Sequence, residues 1–181
     1  MDQLGWLDQN SLVVHKLSPN QSQRPNHQPV SLLVVHSISL PPGLFGGQYI
    51  EDFFLNRLDP DRHPYFPSIV DQHVSAHLLI KRDGSIVQFV SFLECAWHAG
   101  VSQYEGNDNC NDFSIGIEIE GTDHHPFEQI QYAQLAEVTK SLIILYPELT
   151  RDRIVGHSDI ALGRKTDPGH GFDWYYFREL L

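Results

Sequence analysis

Residues 154–169 read Ile154-Val155-Gly156-His157-Ser158-Asp159-Ile160-Ala161-Leu162-Gly163-Arg164-Lys165-Thr166-Asp167-Pro168-Gly169, a short apolar run that leads a histidine into a polar loop. The run is typical of a β-strand that ends just before His157. Lys165 and Asp167 are two positions apart, so in an extended segment their side chains project to the same side. The sequence here therefore predicts an imidazole, a cation and a carboxylate around one cavity.

A histidine also follows a second apolar run, earlier in the chain. Residues 31–37 contain four consecutive apolar residues before His36, the pattern of a strand buried on both faces. If the two strands are neighbours in one sheet, His36 and His157 lie at the same edge, where Asp167 can complete a set of three zinc ligands. The alternative is that these two of the 11 histidines are hydrogen-bonded structural residues at the sheet edge.

The composition is that of an ordinary globular protein. With 181 residues, 41% of them hydrophobic and 19% charged, we expect one domain over residues 1–181, in which residues 1–30 form an N-terminal arm and surface loop. The formal net charge of −11 disfavours nucleic acid, anionic membranes and anionic wall polymers as partners. A small soluble substrate fits better, and no protein partner is implied.

The N-terminal residues have neither a basic region nor an apolar region of the secretory type. Apolar runs of the roughly 18 to 20 residues that a membrane span needs do not occur. We therefore expect a cytoplasmic protein. Cys95 and Cys110 lack the spacing of metal or redox motifs, and we expect both to be reduced and buried.

A strictly alternating segment, residues 114–121, places three isoleucines on one face and Gly116, Glu118 and Glu120 on the other. Glycine is unfavourable inside a strand, so Gly116 indicates that a substrate or a metal-bound water approaches closely beside Glu118. We therefore predict Glu118 as a general base. The alternative is a solvent-exposed face on which the two glutamates have no function.

The other predicted elements complete a mixed set of strands and helices. Residues 74–80 and 86–90 flank Asp83-Gly84, a hairpin signal, and His77 within the first of them is expected to be a packed structural histidine. Residues 128–146 predict a long amphipathic helix with Ile130, Leu135, Val138, Leu142 and Ile143 as its apolar stripe. Residues 49–55 and 172–181 predict two further helices, and residues 39–47 a loop that borders the cavity near His36.

Six ordered blocks resemble the zinc-dependent N-acetylmuramoyl-L-alanine amidases, a family related to a phage lysozyme and to the peptidoglycan recognition proteins. The blocks are Leu33–His36, Val74–His77, Arg82–Gly84, Ala96–Gly100, Asn111–Glu118 and Gly156–Gly169. The loop at residues 39–47 is similar to the branch of the family that acts on 1,6-anhydromuropeptides. The sequence departs from that branch at Ser37, His73 and Asn109, which concerns substrate specificity rather than chemistry.

The resemblance implies an α/β fold: a single domain with a central mixed β-sheet flanked by helices and a zinc site at one sheet edge. It also implies zinc on His36, His157 and Asp167. Glu118 would be the general base and Lys165 the residue that stabilises the transition state. Contacts with the substrate are expected from Trp97, His98, Ser37 and Asn111.

The implied reaction is hydrolysis of the amide bond between 1,6-anhydro-N-acetylmuramic acid and L-alanine in cytosolic muropeptides during peptidoglycan recycling. Zinc would activate a water molecule, Glu118 would take its proton and return it to the alanine nitrogen, and Lys165 would stabilise the oxyanion. Two alternatives are a non-catalytic module that binds peptidoglycan fragments, which typically lacks a zinc ligand, and an amidase that acts on intact peptidoglycan.

Overall fold

The computed structural model of the protein describes residues 1–25 and 28–181. The strands in these residues are β1 Val13–His15, β2 Gln21–Gln23, β3 Leu32–Ile38, β4 Leu78–Ile80, β5 Ile86–Gln88, β6 Glu94–Ala96, β7 Gln103–Tyr104, β8 Asn107–Asp108, β9 Ser114–Glu120 and β10 Ile154–Gly156. The α-helices are α1 Tyr49–Phe54, α2 Gln129–Leu145, α3 His157–Ile160 and α4 Trp174–Glu179. Short 3-10 helices span Pro60–Arg62, Phe66–Ser68, Cys110–Asp112 and Arg151–Arg153.

Six strands form the main sheet, in the order β1-β5-β4-β9-β3-β10. The β4 and β5 strands pair antiparallel as the predicted hairpin, and the other four neighbouring pairs are parallel. The sheet is therefore mixed, as the resemblance implied. Two small antiparallel sheets, β2 with β6 and β7 with β8, lie outside it.

The central strands β3 and β9 direct alternate side chains to opposite sides of the sheet. On one side the three isoleucines of β9 and two residues of β3 pack with the apolar stripe of α2; this cluster includes Leu33, Val35, Ile115, Ile117, Ile119, Leu135, Val138 and Leu142. Because these residues take one face, His36 and Glu118 lie together on the opposite face. The packing of α2 thus determines which side of the sheet can carry polar chemistry.

Several local predictions need correction. Ile130 is 42% exposed and lies over the hairpin turn rather than in the core; a Cβ on Gly84 would lie 2.5 Å from Ile130 Cγ1. The predicted N-terminal arm and surface loop at residues 1–30 contains β2, which pairs with β6, while Asn26 and His27 lie outside the described residues. Both cysteines are free and buried, as expected. None of the helices in the described ranges is long and apolar enough to cross a membrane.

Candidate active site

Two neighbouring parallel strands bring the predicted histidines to one edge of the sheet. Val35 of β3 pairs with Gly156 at the end of β10, so His36 and His157 follow at the same level. Gly156 is the last strand residue and His157 the first residue of α3, where the chain turns away from the sheet. The strand ends therefore place both imidazoles in one region, as the sequence predicted.

The donor atoms of His36, His157 and Asp167 converge on one point. His36 Nδ1 lies 3.0 Å from His157 Nδ1, and each of these nitrogens lies 3.1 Å from Asp167 Oδ2. Ligands around a tetrahedral zinc ion, with bonds of about 2.0–2.1 Å, are separated by about 3.3 Å. Within the described part of the chain this is the one cluster of histidine, cysteine and acidic residues with the spacing of a metal site. The donor set therefore fits zinc.

The protonation states of these residues also suit metal binding. His157 Nε2 lies 3.1 Å from the carbonyl oxygen of Ala99, which can only accept, so Nε2 carries the proton and Nδ1 presents its lone pair. Burial lowers the pKa of His36 to about 4, so this imidazole is neutral at pH 7. Burial alone would raise the pKa of Asp167, but the His157 and His36 rings, each with Nδ1 at 3.1 Å from Asp167 Oδ2, hold it well below its ordinary value. Neutral imidazoles and an ionised carboxylate are the forms that bind metal.

The loop that carries Asp167 is held by further contacts. Ser158 N donates to the carbonyl oxygen of Asp167 at 3.0 Å. The Thr166 hydroxyl donates to Asp123 Oδ2, and Ser37 Oγ donates to Asp123 Oδ1 at 3.4 Å. Asp123 thus joins this loop to the end of β3. Asp123 could not be predicted from the sequence, because it lies in an irregular segment without a periodic pattern.

Glu118 is a partly buried residue whose carboxylate lies beside the three converging donors. It is the register partner of His36 in the β3–β9 pair, and its Oε2 is buried without a hydrogen-bond partner among the described residues. Burial, and then the neighbouring Asp167 carboxylate, raise the pKa of Glu118 well above its ordinary value, while Lys165 opposes that rise. An unpartnered carboxylate with a raised pKa is suited to accept and return a proton.

These side chains line a cavity of about 330 Å³. Glu118, His157, Lys165 and Asp167 face it together with Trp97 and Ser37, and the predicted loop contributes Ser39, Leu40 and Pro42. Its size is in the range of small-molecule sites. A larger cavity of about 560 Å³ beside Arg24 contains none of the predicted metal-binding or catalytic residues, so we assign the active site to the smaller one.

Two predicted substrate contacts have other partners in the structure. Asn111 does not line the cavity; its Oδ1 accepts hydrogen bonds from the backbone N–H groups of His98 and Ala99 at 3.1 and 2.8 Å. His98 borders the cavity but is only 9% exposed. Its ring nitrogens lie within hydrogen-bond distance of His36 and Ser114, which argues against a hydrogen bond to substrate.

Gly116 and Glu120 have different surroundings from those predicted for them. A Cβ on Gly116 would lie 2.3 Å from His98 Cγ, so the missing side chain makes room for the His98 ring rather than for a substrate or water. Glu120 is 3% exposed and accepts hydrogen bonds from the backbone N–H groups of Gly46 and Arg82 at 2.6 and 3.1 Å. The face that it shares with Glu118 is therefore not solvent-exposed, and Glu120 fixes the loop that borders the cavity.

Comparison with known proteins agrees with this fold. The profile of the N-acetylmuramoyl-L-alanine amidase family matches residues 26–170, and the chain belongs to this family. It is 56% identical over 164 residues to the 1,6-anhydro-N-acetylmuramyl-L-alanine amidase AmpD of Escherichia coli K12, a match that covers 91% of this chain and 89% of that protein.

Solved structures give the same result. The crystal structure of a selenomethionine derivative of AmpD superposes with a TM-score of 0.95 at 52% identity and covers 100% of this chain and 99% of that one. The amidase AmiD from E. coli, in complex with the substrate anhydro-N-acetylmuramic acid-L-Ala-D-gamma-Glu-L-Lys, superposes with a TM-score of 0.62 at 30% identity. That match covers 87% of this chain and 60% of AmiD.

Proposed function

We propose that this protein is a zinc-dependent amidase that hydrolyses the bond between 1,6-anhydro-N-acetylmuramic acid and L-alanine in soluble muropeptides during peptidoglycan recycling. The observation that carries the proposal is the convergence of His36, His157 and Asp167 beside the unpartnered carboxylate of Glu118. The identity of 56% to an amidase named for this bond supports the choice of substrate.

The metal-binding role is assigned to the three converging donor atoms. Zinc held by His36 Nδ1, His157 Nδ1 and Asp167 Oδ2 would supply Lewis-acid activation of the attacking water and of the amide carbonyl. The protein's contribution is to hold these ligands in the correct form. His157 is oriented by its hydrogen bond to the Ala99 carbonyl, and the Asp167 loop by its bond from Ser158 N.

Glu118 and Lys165 are charged residues of the site that do not bind the metal, and we assign proton transfer to the first and charge stabilisation to the second. The raised pKa of Glu118 allows it to take a proton from the attacking water and return it to the leaving nitrogen of L-alanine. Lys165 is exposed at the cavity, where its positive charge would stabilise the negative charge that develops on the carbonyl oxygen.

The cavity favours a soluble fragment over polymeric wall. Trp97 offers an aromatic surface for a sugar ring, and Ser37 offers a hydroxyl group at the same cavity. The net charge of −11 would oppose approach to an anionic polymer. We also propose a cytoplasmic location and a single amidase domain over residues 1–181. Both rest on the resemblance to the family branch.

Side-by-side kinetics test the substrate assignment. We expect efficient cleavage of an anhydromuramyl tripeptide, weaker turnover of the reducing-end muramyl tripeptide and little release from insoluble sacculi, compared as kcat/KM. Equal or better activity on sacculi would instead support an amidase that acts on intact wall. Binding of the anhydromuramyl tripeptide without cleavage would support the non-catalytic module.

A further inference from the structure

A line of buried polar atoms runs from the His36 imidazole into the sheet. His36 Nε2 lies 2.9 Å from His98 Nδ1, and His98 Nε2 lies 3.0 Å from Ser114 Oγ. Exposure is 1% at His36, 9% at His98 and 0% at Ser114. The reaction proposed above uses neither His98 nor Ser114, so this line requires a separate explanation.

Two arrangements of protons satisfy these hydrogen bonds. In the first, His36 Nε2–H donates to His98 Nδ1 and His98 Nε2–H donates to Ser114 Oγ, which leaves a lone pair on His36 Nδ1. In the second, Ser114 Oγ–H donates to His98 Nε2 and His98 Nδ1–H donates to His36 Nε2, which leaves a proton on His36 Nδ1. The number of protons is the same. Only the first arrangement lets His36 Nδ1 bind a metal ion.

We propose that His98 is a positioning residue that fixes the metal-binding tautomer of His36, with Ser114 as the acceptor that completes the line. The inference rests on the proposed zinc site. In this role His98 acts through His36 rather than on the substrate. Hydrogen bonds of this kind to a ligating histidine set its ring orientation and raise its basicity.

The surroundings of His98 are built to hold its ring in this place. Ser114 and Gly116 lie on the same face of β9. Ser114 provides the hydrogen-bond acceptor, and Gly116, which has no side chain, leaves room for the His98 ring. Asn111 Oδ1 accepts a hydrogen bond from the backbone N–H of His98 at 3.1 Å, which fixes the backbone that carries the ring. The ring meets His36 edge to face, with centroids 4.9 Å apart and an angle of 81° between the planes.

Zinc affinity of the metal-free protein, measured by competition with a chromophoric chelator, tests the proposal without an activity assay. His98→Leu removes the acceptor, and we expect its zinc affinity to fall roughly 10- to 100-fold. His98→Asn places an amide oxygen near the position of Nδ1, and we expect it to keep most of the affinity. Ser114→Ala removes the terminal acceptor and should cause an intermediate loss.

His77→Asn is the matched control. His77 is another fully buried histidine, but its nitrogens face Gly116 N and the Glu94 carbonyl at 3.0 and 3.1 Å rather than His36. We expect its zinc affinity to equal that of the wild type. A folded His98→Leu protein with wild-type zinc affinity would overturn the inference while leaving the proposed function in place. A wild type that binds no zinc would overturn both.

Nitrogen-15 NMR of the histidine side chains in the zinc-loaded wild type gives a second, independent test. The proposal requires the proton on Nε2 of both His36 and His98. A proton on Nδ1 of His98 would overturn it, and this result does not depend on whether the His98→Leu variant folds.

Discussion

His36 is 121 residues from His157 and 131 from Asp167 in the sequence, yet the three donor atoms lie within 3.1 Å of one another. The reactivity that we propose for this cluster depends on which of its atoms carry protons. The Ala99 carbonyl accepts the proton of His157 Nε2, so the lone pair of His157 Nδ1 is available to a metal ion. Glu118 Oε2 has no hydrogen-bond partner among the described residues. An unsatisfied buried carboxylate costs stability, which supports the catalytic role that we propose for Glu118.

Substitutions of Glu118 and Lys165 test their roles at this scale. We expect Glu118→Gln and Lys165→Ala each to lower kcat by roughly a hundredfold or more, with zinc affinity and KM nearly unchanged, because each removes a contribution made in the transition state. Steady-state kinetics and metal analysis measure this. Glu137→Gln, whose side chain is 74% exposed on α2, is the control and should be silent. A variant that mainly raised KM would contradict its assigned role.

The residues of the site were predictable only in part. His36, His157 and Glu118 could be found because each follows or interrupts a clear strand pattern, and Asp167 because it lies two positions from Lys165 in the loop after His157. The partners of His98, and the backbone contacts of Glu120, could not be found. They join segments far apart in the chain, and a single sequence contains no signal for such pairings.

At the scale of elements, β9 organises the site through one of its two faces. Four residues of β9 lie along that face. Ser114 contacts the His98 ring and Gly116 leaves space for it. Glu118 lines the cavity, and Glu120 binds the backbone of the neighbouring loop. The opposite face is entirely committed to the packing against α2. One strand therefore couples the core to the site.

Gly116→Ala tests this coupling. The added Cβ would lie 2.3 Å from His98 Cγ, and we expect the free energy of unfolding of the metal-free protein to fall by about 1–3 kcal/mol, as for other overpacked sites. Urea denaturation measures it. Because the clash is with the His98 ring, the same change made in a His98→Ala background should cost much less. Equal costs in both backgrounds would show that the ring is not the obstacle.

Long, regular elements were predicted correctly, and short polar ones were not. The alternation of residues 114–121 and the helical period of residues 128–146 correspond to β9 and α2 within one residue at each end. The polar strand β2, only three residues long, has no apolar pattern that would distinguish it from a loop. It forms because its backbone pairs with β6.

At the scale of the whole molecule, buried histidines make stability depend on pH. Burial, and then the nearby Arg24 guanidinium, lower the pKa of His77 to about 3 from its ordinary 6.5. Between these values the unfolded chain binds the proton and the folded chain does not. The contribution of His77 to stability is thus complete above about pH 6.5 and is lost progressively as the pH falls toward 3.

We therefore expect the unfolding free energy of the metal-free protein to fall from pH 7 to pH 4.5, with His77 contributing up to roughly 1 kcal/mol per pH unit. Urea denaturation at several pH values, with a chelator present, measures the slope. His77→Asn cannot take up this proton when it unfolds, so its slope should be shallower. Identical slopes for the two proteins would contradict the assignment.

The central claim is that a metal ion held by His36, His157 and Asp167 makes amide hydrolysis possible. The most direct measurement is zinc content together with activity on an anhydromuramyl tripeptide, before chelation, after chelation and after zinc is restored. We predict about one zinc ion per chain, loss of activity with the metal and recovery with zinc, and neither zinc nor activity in His36→Ala or Asp167→Ala. Activity that survives complete removal of the metal would contradict the claim.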